Sequence, residues 1–251
     1  MKNILISPKI IKDNYNSIGQ FLDNDWINFF KNKDVNLLLF TNLNSKQKLK
    51  INFDAVIISG GNDLLEIKKN KLNIIREKID KNLFQLAIEK KKPILAICKG
   101  FQFINRFYGG KYKKTTNHVK KNHKIFINKN FLYLKKNQVL SVNSYHNYKV
   151  TNLAKNMNEI ATAVDGSVEI AIHKNRKILG LMFHPERTNK SNSYVKKIVF
   201  KFLKIEMNFL ILAAGKSSRI FNKINKNKCL IKIKNKSLLQ IAIEKILKLS
   251  R

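Results

Sequence analysis

Three residues of this chain have the types and placement that nucleophilic catalysis requires: Cys98, His184 and Glu186. Cys98 lies in Ala96-Ile97-Cys98-Lys99-Gly100-Phe101-Gln102, between Pro93-Ile94-Leu95, which reads as a short buried strand, and Phe101-Gln102-Phe103-Ile104-Asn105, which reads as the start of a helix. A cysteine on a sharp strand-to-helix turn holds its sulfur exposed, and the N-terminus of the following helix favours the thiolate, the nucleophilic form. In such elbows the residue after the nucleophile offers its N–H to an oxyanion. Taken alone, Cys-x-Gly is also compatible with an inert core thiol. The partner motif argues against that reading: Gly180-Leu181-Met182-Phe183-His184-Pro185-Glu186 is a strand end that carries a histidine and, two residues on, a glutamate.

Four motifs follow one another along the chain: Ile58-Ser59-Gly60-Gly61-Asn62-Asp63, Cys98-Lys99-Gly100-Phe101-Gln102, Val142-Asn143-Ser144-Tyr145-His146 and Phe183-His184-Pro185-Glu186. Their order resembles the class I glutamine amidotransferase-like proteins, and within them the γ-glutamyl hydrolases, over roughly residues 1 to 205. The resemblance implies that Cys98 attacks a γ-glutamyl carbonyl to form a thioester, that His184 moves the protons, and that Glu186 orients the imidazole. It implies an oxyanion hole from the backbone N–H groups of Gly61 and Lys99. Gly60, Gln102 and the backbone around Asn143, Ser144 and Tyr145 would then bind the glutamyl substrate, and the Lys99 side chain would face the leaving group. His146 stands where the hydrolase branch often has His-His-Gln, and reads as either a pocket or a structural residue. His118 and His123 have metal-like proximity, but the sequence shows no third ligand at suitable spacing. No cofactor and no metal is implied.

These residues need a scaffold, and the chain alternates strand and helix as a parallel sheet requires. Strands are expected over Asn3 to Ser7, Val35 to Thr41, Phe53 to Ser59 and Pro93 to the elbow, with helices over Ser17 to Asn32 and Asn73 to Lys91. Gly109-Gly110 reads as a helix stop. Lys124 to Val142 changes to short strands, and Asp165-Gly166 between Ile160-Ala163 and Val168-Ile172 signals a hairpin. Ile178 to Phe183 returns to the sheet and Ser193 to Leu203 closes it with a helix. The expected fold class is α/β, a flavodoxin-like three-layer parallel sheet with helices on both faces.

The pattern restarts at Met207. Phe209 to Arg219 reads strand, glycine-containing loop, helix, and Lys228-Cys229-Leu230 and Asn235-Lys236-Ser237-Leu238-Leu239 follow. This resembles the opening of a sugar-phosphate or choline-phosphate nucleotidyltransferase, with Gly215, Arg219 and Lys228 as a vestigial nucleotide loop. Ser217, Asn227 and Asn235 depart from that pattern. The organisation expected is a hydrolase domain over residues 1–206 and a truncated nucleotidyltransferase fragment over 207–251, incompetent for nucleotide transfer by itself.

The chain has 251 residues, 44% of them hydrophobic, enough for one well-filled α/β core and part of a second. No apolar run approaches the ~20 residues that span a bilayer. Two cysteines, Cys98 and Cys229, make no disulfide framework, and a reduced, cytoplasmic setting is expected. The net charge of +34 comes from lysines scattered over every segment, and no nucleic-acid recognition motif accompanies it. Such a surface still attracts anionic small molecules. The expected partner is a small γ-glutamyl substrate, with a nucleotidyltransferase as neighbour in the same reaction sequence. That pairing resembles the route to capsule phosphoramidate, in which a hydrolase releases glutamate from γ-glutamyl-CDP-amidate. A general γ-glutamyl amine hydrolase, a glutaminase subunit and a basic binding protein or pseudoenzyme are the alternatives.

Overall fold

In a computed structural model, residues 1–41, 52–116, 118–187, 191–206, 232–233 and 236–250 are described. The chain divides into two compact units, Met1–Ile205 and Glu206–Arg251. Among the described residues, no helix is long and apolar enough to cross a membrane.

The first unit is built on a nine-stranded sheet. Its parallel half runs in the order β4 (Val35–Leu39), β1 (Lys2–Ile6), β5 (Ala55–Ile58), β6 (Ile94–Ile97) and β13 (Ile178–Leu181). β5, β6 and β13 are buried at every position, which is why their sequences are continuous apolar runs rather than alternating ones. The sheet then continues antiparallel through β12 (Val168–His173), β11 (Met157–Ala163), β8 (Val119–Ile127) and β9 (Val139–Tyr145). The β11–β12 hairpin turns at Gly166, whose φ of +76° favours glycine. A two-stranded ribbon of β7 (Lys111–Lys114) and β10 (Tyr148–Asn152) lies apart from the main sheet.

The helices are α1 (Asn24–Phe29), α2 (Lys71–Glu89), α3 (Lys99–Phe107) and α4 (Asn192–Phe202). α2 begins where the Asn70 side chain accepts from the Asn73 N–H at 2.8 Å, and it buries Ile79, Leu83, Phe84 and Ala87 against β5. α3 ends at a left-handed Gly109, with the Gly110 N–H returning to the Asn105 carbonyl.

One expected element differs. Ser17 to Asn32 is not a single helix: β2 (Lys9–Lys12) and β3 (Ile18–Phe21) form a hairpin, and only α1 is helical. Asp13 makes the turn, its carboxylate accepting from the N–H groups of Tyr15 and Ser17 at 2.9 and 2.8 Å, with Asn16 at φ +67°. Such local side-chain bonding competes with helix formation. The helix starts only where Asp23 caps it, accepting from the Asp25 N–H.

In the second unit, β14 (Lys232–Ile233) pairs with β15 (Lys236–Ser237), and α5 (Leu238–Ser250) follows. The Ser237 hydroxyl accepts from the Gln240 N–H, and the Gln240 side chain accepts from the Ser237 N–H, a reciprocal cap. Phe209 to Arg219, Lys228 and Cys229, including the vestigial nucleotide loop residues Gly215 and Arg219, lie outside the described residues.

Candidate active site

Cys98 joins β6 directly to α3. Its φ of 49° and ψ of −107° are values an L-residue rarely adopts. The Cys98 N–H donates to the Leu181 carbonyl at 2.7 Å, and the Cys98 carbonyl accepts from the Gln102 N–H, so strand and helix both pin the bend. Two glycines allow the layers to close around it. A Cβ on Gly100 would fall 2.1 Å from the Ile58 carbonyl oxygen, and one on Gly180 would fall 2.3 Å from the Phe101 ring. The glycine of Cys-x-Gly is therefore a packing requirement that sets α3 against β5.

His184 follows the end of β13, and Glu186 lies on the turn after it. The imidazole Nδ1 and the Glu186 Oε1 are 2.6 Å apart, and both side chains are almost fully buried. Burial disfavours the charged ring, but the Glu186 carboxylate and the hydrogen bond with Cys98 outweigh it and push the His184 pKa up to about 10. An imidazolium with a carboxylate on one nitrogen and a sulfur on the other is the arrangement a cysteine nucleophile uses.

The glycine loop completes the centre. A Cβ on Gly60 would lie 2.5 Å from His184 Cε1 and 3.4 Å from Cys98 Cβ, so its backbone packs against both side chains. Gly61 has φ +85° and packs beneath the Lys9 side chain. Asn62 clamps the hairpin above, its amide exchanging two hydrogen bonds with the Ile10 backbone at 2.8 and 2.9 Å.

Beneath the loop lies a buried ionic network that the sequence does not announce. Arg76 donates to the Ser59 and Gly60 carbonyls at 2.5 and 3.1 Å, and to Asp80 at 3.0 Å. Lys99 donates to Asp80 at 2.5 Å. The Lys99 side chain is 2% exposed and points away from the cleft, correcting the expectation that it faces a leaving group. Burial raises the Asp80 carboxyl, yet the Arg76 and Lys99 cations outweigh it and hold the carboxyl below its ordinary range. The one signal in the sequence is Arg76 and Asp80 at i, i+4 on the face of α2 that also carries Ile79 and Leu83.

The other expected binding residues divide. The Asn143 amide donates to the His184 carbonyl at 2.8 Å and accepts from the His184 N–H at 2.9 Å, so it holds the loop that carries His184. Gln102 donates to the Tyr148 carbonyl, which directs its amide nitrogen to β10. The Ser144 hydroxyl donates to the His118 carbonyl at 2.5 Å. Tyr145 is partly exposed, its ring perpendicular to His184 with centroids 5.7 Å apart, and the Arg187 guanidinium lies 4.5 Å from the centroid of the same tyrosine ring. His146 is buried, 3.7 Å from Glu169. Glu169 also stands 3.4 Å from His123, so the fold supplies the third ligand-type residue that spacing does not reveal. Lys9, Asp23, Gly60, Gly61, His184 and Arg187 border one cleft, in which Arg187 pairs with Asp23 at 3.6 Å.

Residues 10–205 match the profile of the family described as glutamine amidotransferase class-I. The chain is 32% identical over 189 residues to the γ-glutamyl-CDP-amidate hydrolase of Campylobacter jejuni, spanning 73% of this chain and 89% of that protein. It is 29% identical over 152 residues to a subunit of the glutamine-hydrolysing GMP synthase of Methanococcus aeolicus, spanning 60% of this chain and 73% of that one. A crystal structure of a candidate GMP synthase subunit from Thermoplasma acidophilum superposes with a TM-score of 0.60 at 20% identity, covering 81% of this chain and 93% of that one. That last likeness speaks to the fold alone.

Proposed function

The chain belongs to the class I glutamine amidotransferase family, and from that premise we propose that it hydrolyses a γ-glutamyl amide, releasing glutamate. The observation that carries this reading is the His184–Glu186 pair at 2.6 Å, hydrogen-bonded to a cysteine held in a strained elbow. In the proposed reaction the Cys98 thiolate attacks the γ-carbonyl carbon. The oxyanion that forms is met by the backbone N–H groups of Gly61 and Lys99. The C–N bond breaks as His184 gives its proton to the departing nitrogen, leaving a glutamyl thioester. Water then attacks the thioester carbon, His184 takes the water's proton, and the C–S bond breaks to return thiolate and glutamate.

The favoured substrate is γ-glutamyl-CDP-amidate, the compound named for the C. jejuni relative. The Lys9 ammonium in the cleft lining supports an anionic leaving group, a role the buried Lys99 cannot fill. A second reading, a glutaminase subunit passing ammonia to a synthetase, is favoured by the similarity to GMP synthase subunits. The second unit is given no role in either reaction.

Glutamate release from γ-glutamyl-CDP-amidate, γ-glutamyl-aminobutyrate and glutamine tests the proposal. The nucleotide-linked compound should have the highest kcat/KM, falling as salt screens Lys9. Preference for glutamine would favour the second reading, and preference for γ-glutamyl-aminobutyrate, whose leaving group carries no phosphate, would leave a general γ-glutamyl hydrolase. No glutamate from any of them would refute the hydrolase.

A further inference from the structure

A second cluster of chemically capable side chains lies apart from the cysteine. His118 precedes β8, His123 lies within it, His146 follows β9, and Glu169 comes from β12. The backbone brings the ends of β8 and β9 together, with the His146 N–H donating to the His118 carbonyl. One nitrogen or carboxylate oxygen from each of His118, His123 and Glu169 falls within 4.8 Å of the others.

The cluster is short of hydrogen bonds. Among the described residues, eight buried side-chain polar atoms have no partner, and five of them meet here: His118 Nδ1, His123 Nε2, both nitrogens of His146, and Glu169 Oε2. An unmet buried polar group is costly, and a single ion would take one atom from each of the four side chains, four of these five. Glu169 is fully buried, and among the described residues no lysine or arginine forms an ion pair with it. A buried carboxylate of this kind calls for a cation.

We infer that His118, His123, His146 and Glu169 bind a divalent transition-metal ion of the zinc class. Three imidazoles and a carboxylate form the borderline donor set that zinc, cobalt and nickel share. In a tetrahedral zinc site, bonds of about 2.0–2.1 Å place neighbouring donor atoms about 3.4 Å apart. His123 Nε2 lies 3.4 Å from Glu169 Oε2, and His146 Nε2 and His118 Nδ1 lie 3.7 and 3.9 Å from Oε1, so three imidazoles already surround the one carboxylate and would draw inward on the ion. The outer shell fits as well. The other His118 nitrogen, Nε2, is 3.0 Å from the Asp165 carboxylate, leaving Nδ1 to face Glu169. Asp165 is itself held by Lys149 and by the Ser167 hydroxyl. A carboxylate behind a ligating imidazole fixes its tautomer and direction.

Four protein ligands leave no open position, which makes the site structural rather than catalytic. Its place gives it a task. Ser144 bonds the His118 carbonyl, and the neighbouring Asn143 holds the His184 backbone from both sides, so the ion would brace the strand that positions the base.

The test uses the full chain, purified without chelator and without a histidine tag. Its metal content is measured by mass spectrometry, and the dialysed chain is titrated with Co²⁺ while visible absorption is recorded. The expected result is close to one equivalent per chain and an intense tetrahedral Co²⁺ band. That band should persist in Cys98→Ala and vanish in His123→Ala and Glu169→Gln. Asp165→Asn changes only the outer shell of a partly exposed carboxylate and should weaken Co²⁺ about 10- to 100-fold with the fold intact by circular dichroism. A wild-type chain that takes up no Co²⁺ would overturn the inference and leave a proton-sharing histidine cluster. So would a band that depends on Cys98 or that survives both ligand substitutions.

Discussion

Replacing Gly60 by alanine adds one methyl group at the centre of the site. The new Cβ would lie 2.5 Å from His184 Cε1 and 3.2 Å from its Nε2, where ordinary contacts are 3.4–4 Å. His184 cannot yield freely, because Glu186 holds Nδ1 at 2.6 Å and Asn143 holds its backbone. Restoring contact distance displaces the ring by about 1 Å, and a misplacement of that size costs about 100-fold in rate, or about 2.7 kcal/mol of barrier. The fold should be little affected, since the Gly60 φ lies outside the left-handed region and alanine adopts it without strain. Gly19→Ala is the control: its Cβ meets only Ile11 Cγ1 at 3.8 Å, an ordinary contact. The assay is kcat/KM for glutamate release alongside thermal unfolding of both variants. Wild-type kcat/KM in a folded Gly60→Ala chain would refute the placement of the imidazole against this loop.

Glu186→Gln should move the alkaline limb of the pH–rate profile to lower pH, because Glu186 is the leading cause that raises His184 to about 10. A group raised from 6.5 adds stability that is full below pH 6.5 and lost as pH climbs through about 10, so the variant should also flatten the loss of Tm over that window; an NMR titration of His184 checks both. Asp80→Asn leaves the Arg76 and Lys99 cations buried without their carboxylate and should lower unfolding free energy by about 3–5 kcal/mol, read from the urea midpoint. Lys9→Ala should raise KM for γ-glutamyl-CDP-amidate more than for γ-glutamyl-aminobutyrate, whose leaving group carries one carboxylate and no diphosphate, and equal effects on both would show that Lys9 does not sense the leaving group's charge.

The features legible from sequence are those that depend on neighbours along the chain. The apolar runs of β5, β6 and β13 mark buried parallel strands, and Cys98-Lys99-Gly100 marks the elbow because Gly100 is required wherever α3 meets β5. The β2–β3 hairpin is hidden because one carboxylate, Asp13, turns a segment with helical spacing. The direction of Lys99 is hidden because Asp80 reaches it from another helix. Glu169 escapes notice for the same reason: it meets His118 and His123 only once β11 has paired with β8 on one side and β12 on the other.

The most direct measurement is peptide mass spectrometry after acid quench of the chain mixed with γ-glutamyl-CDP-amidate. A glutamyl thioester is expected on the peptide that carries Cys98, accumulating further in Glu186→Gln as deacylation slows, with no adduct in Cys98→Ala. Glutamate released at wild-type rates by Cys98→Ala would contradict the central claim.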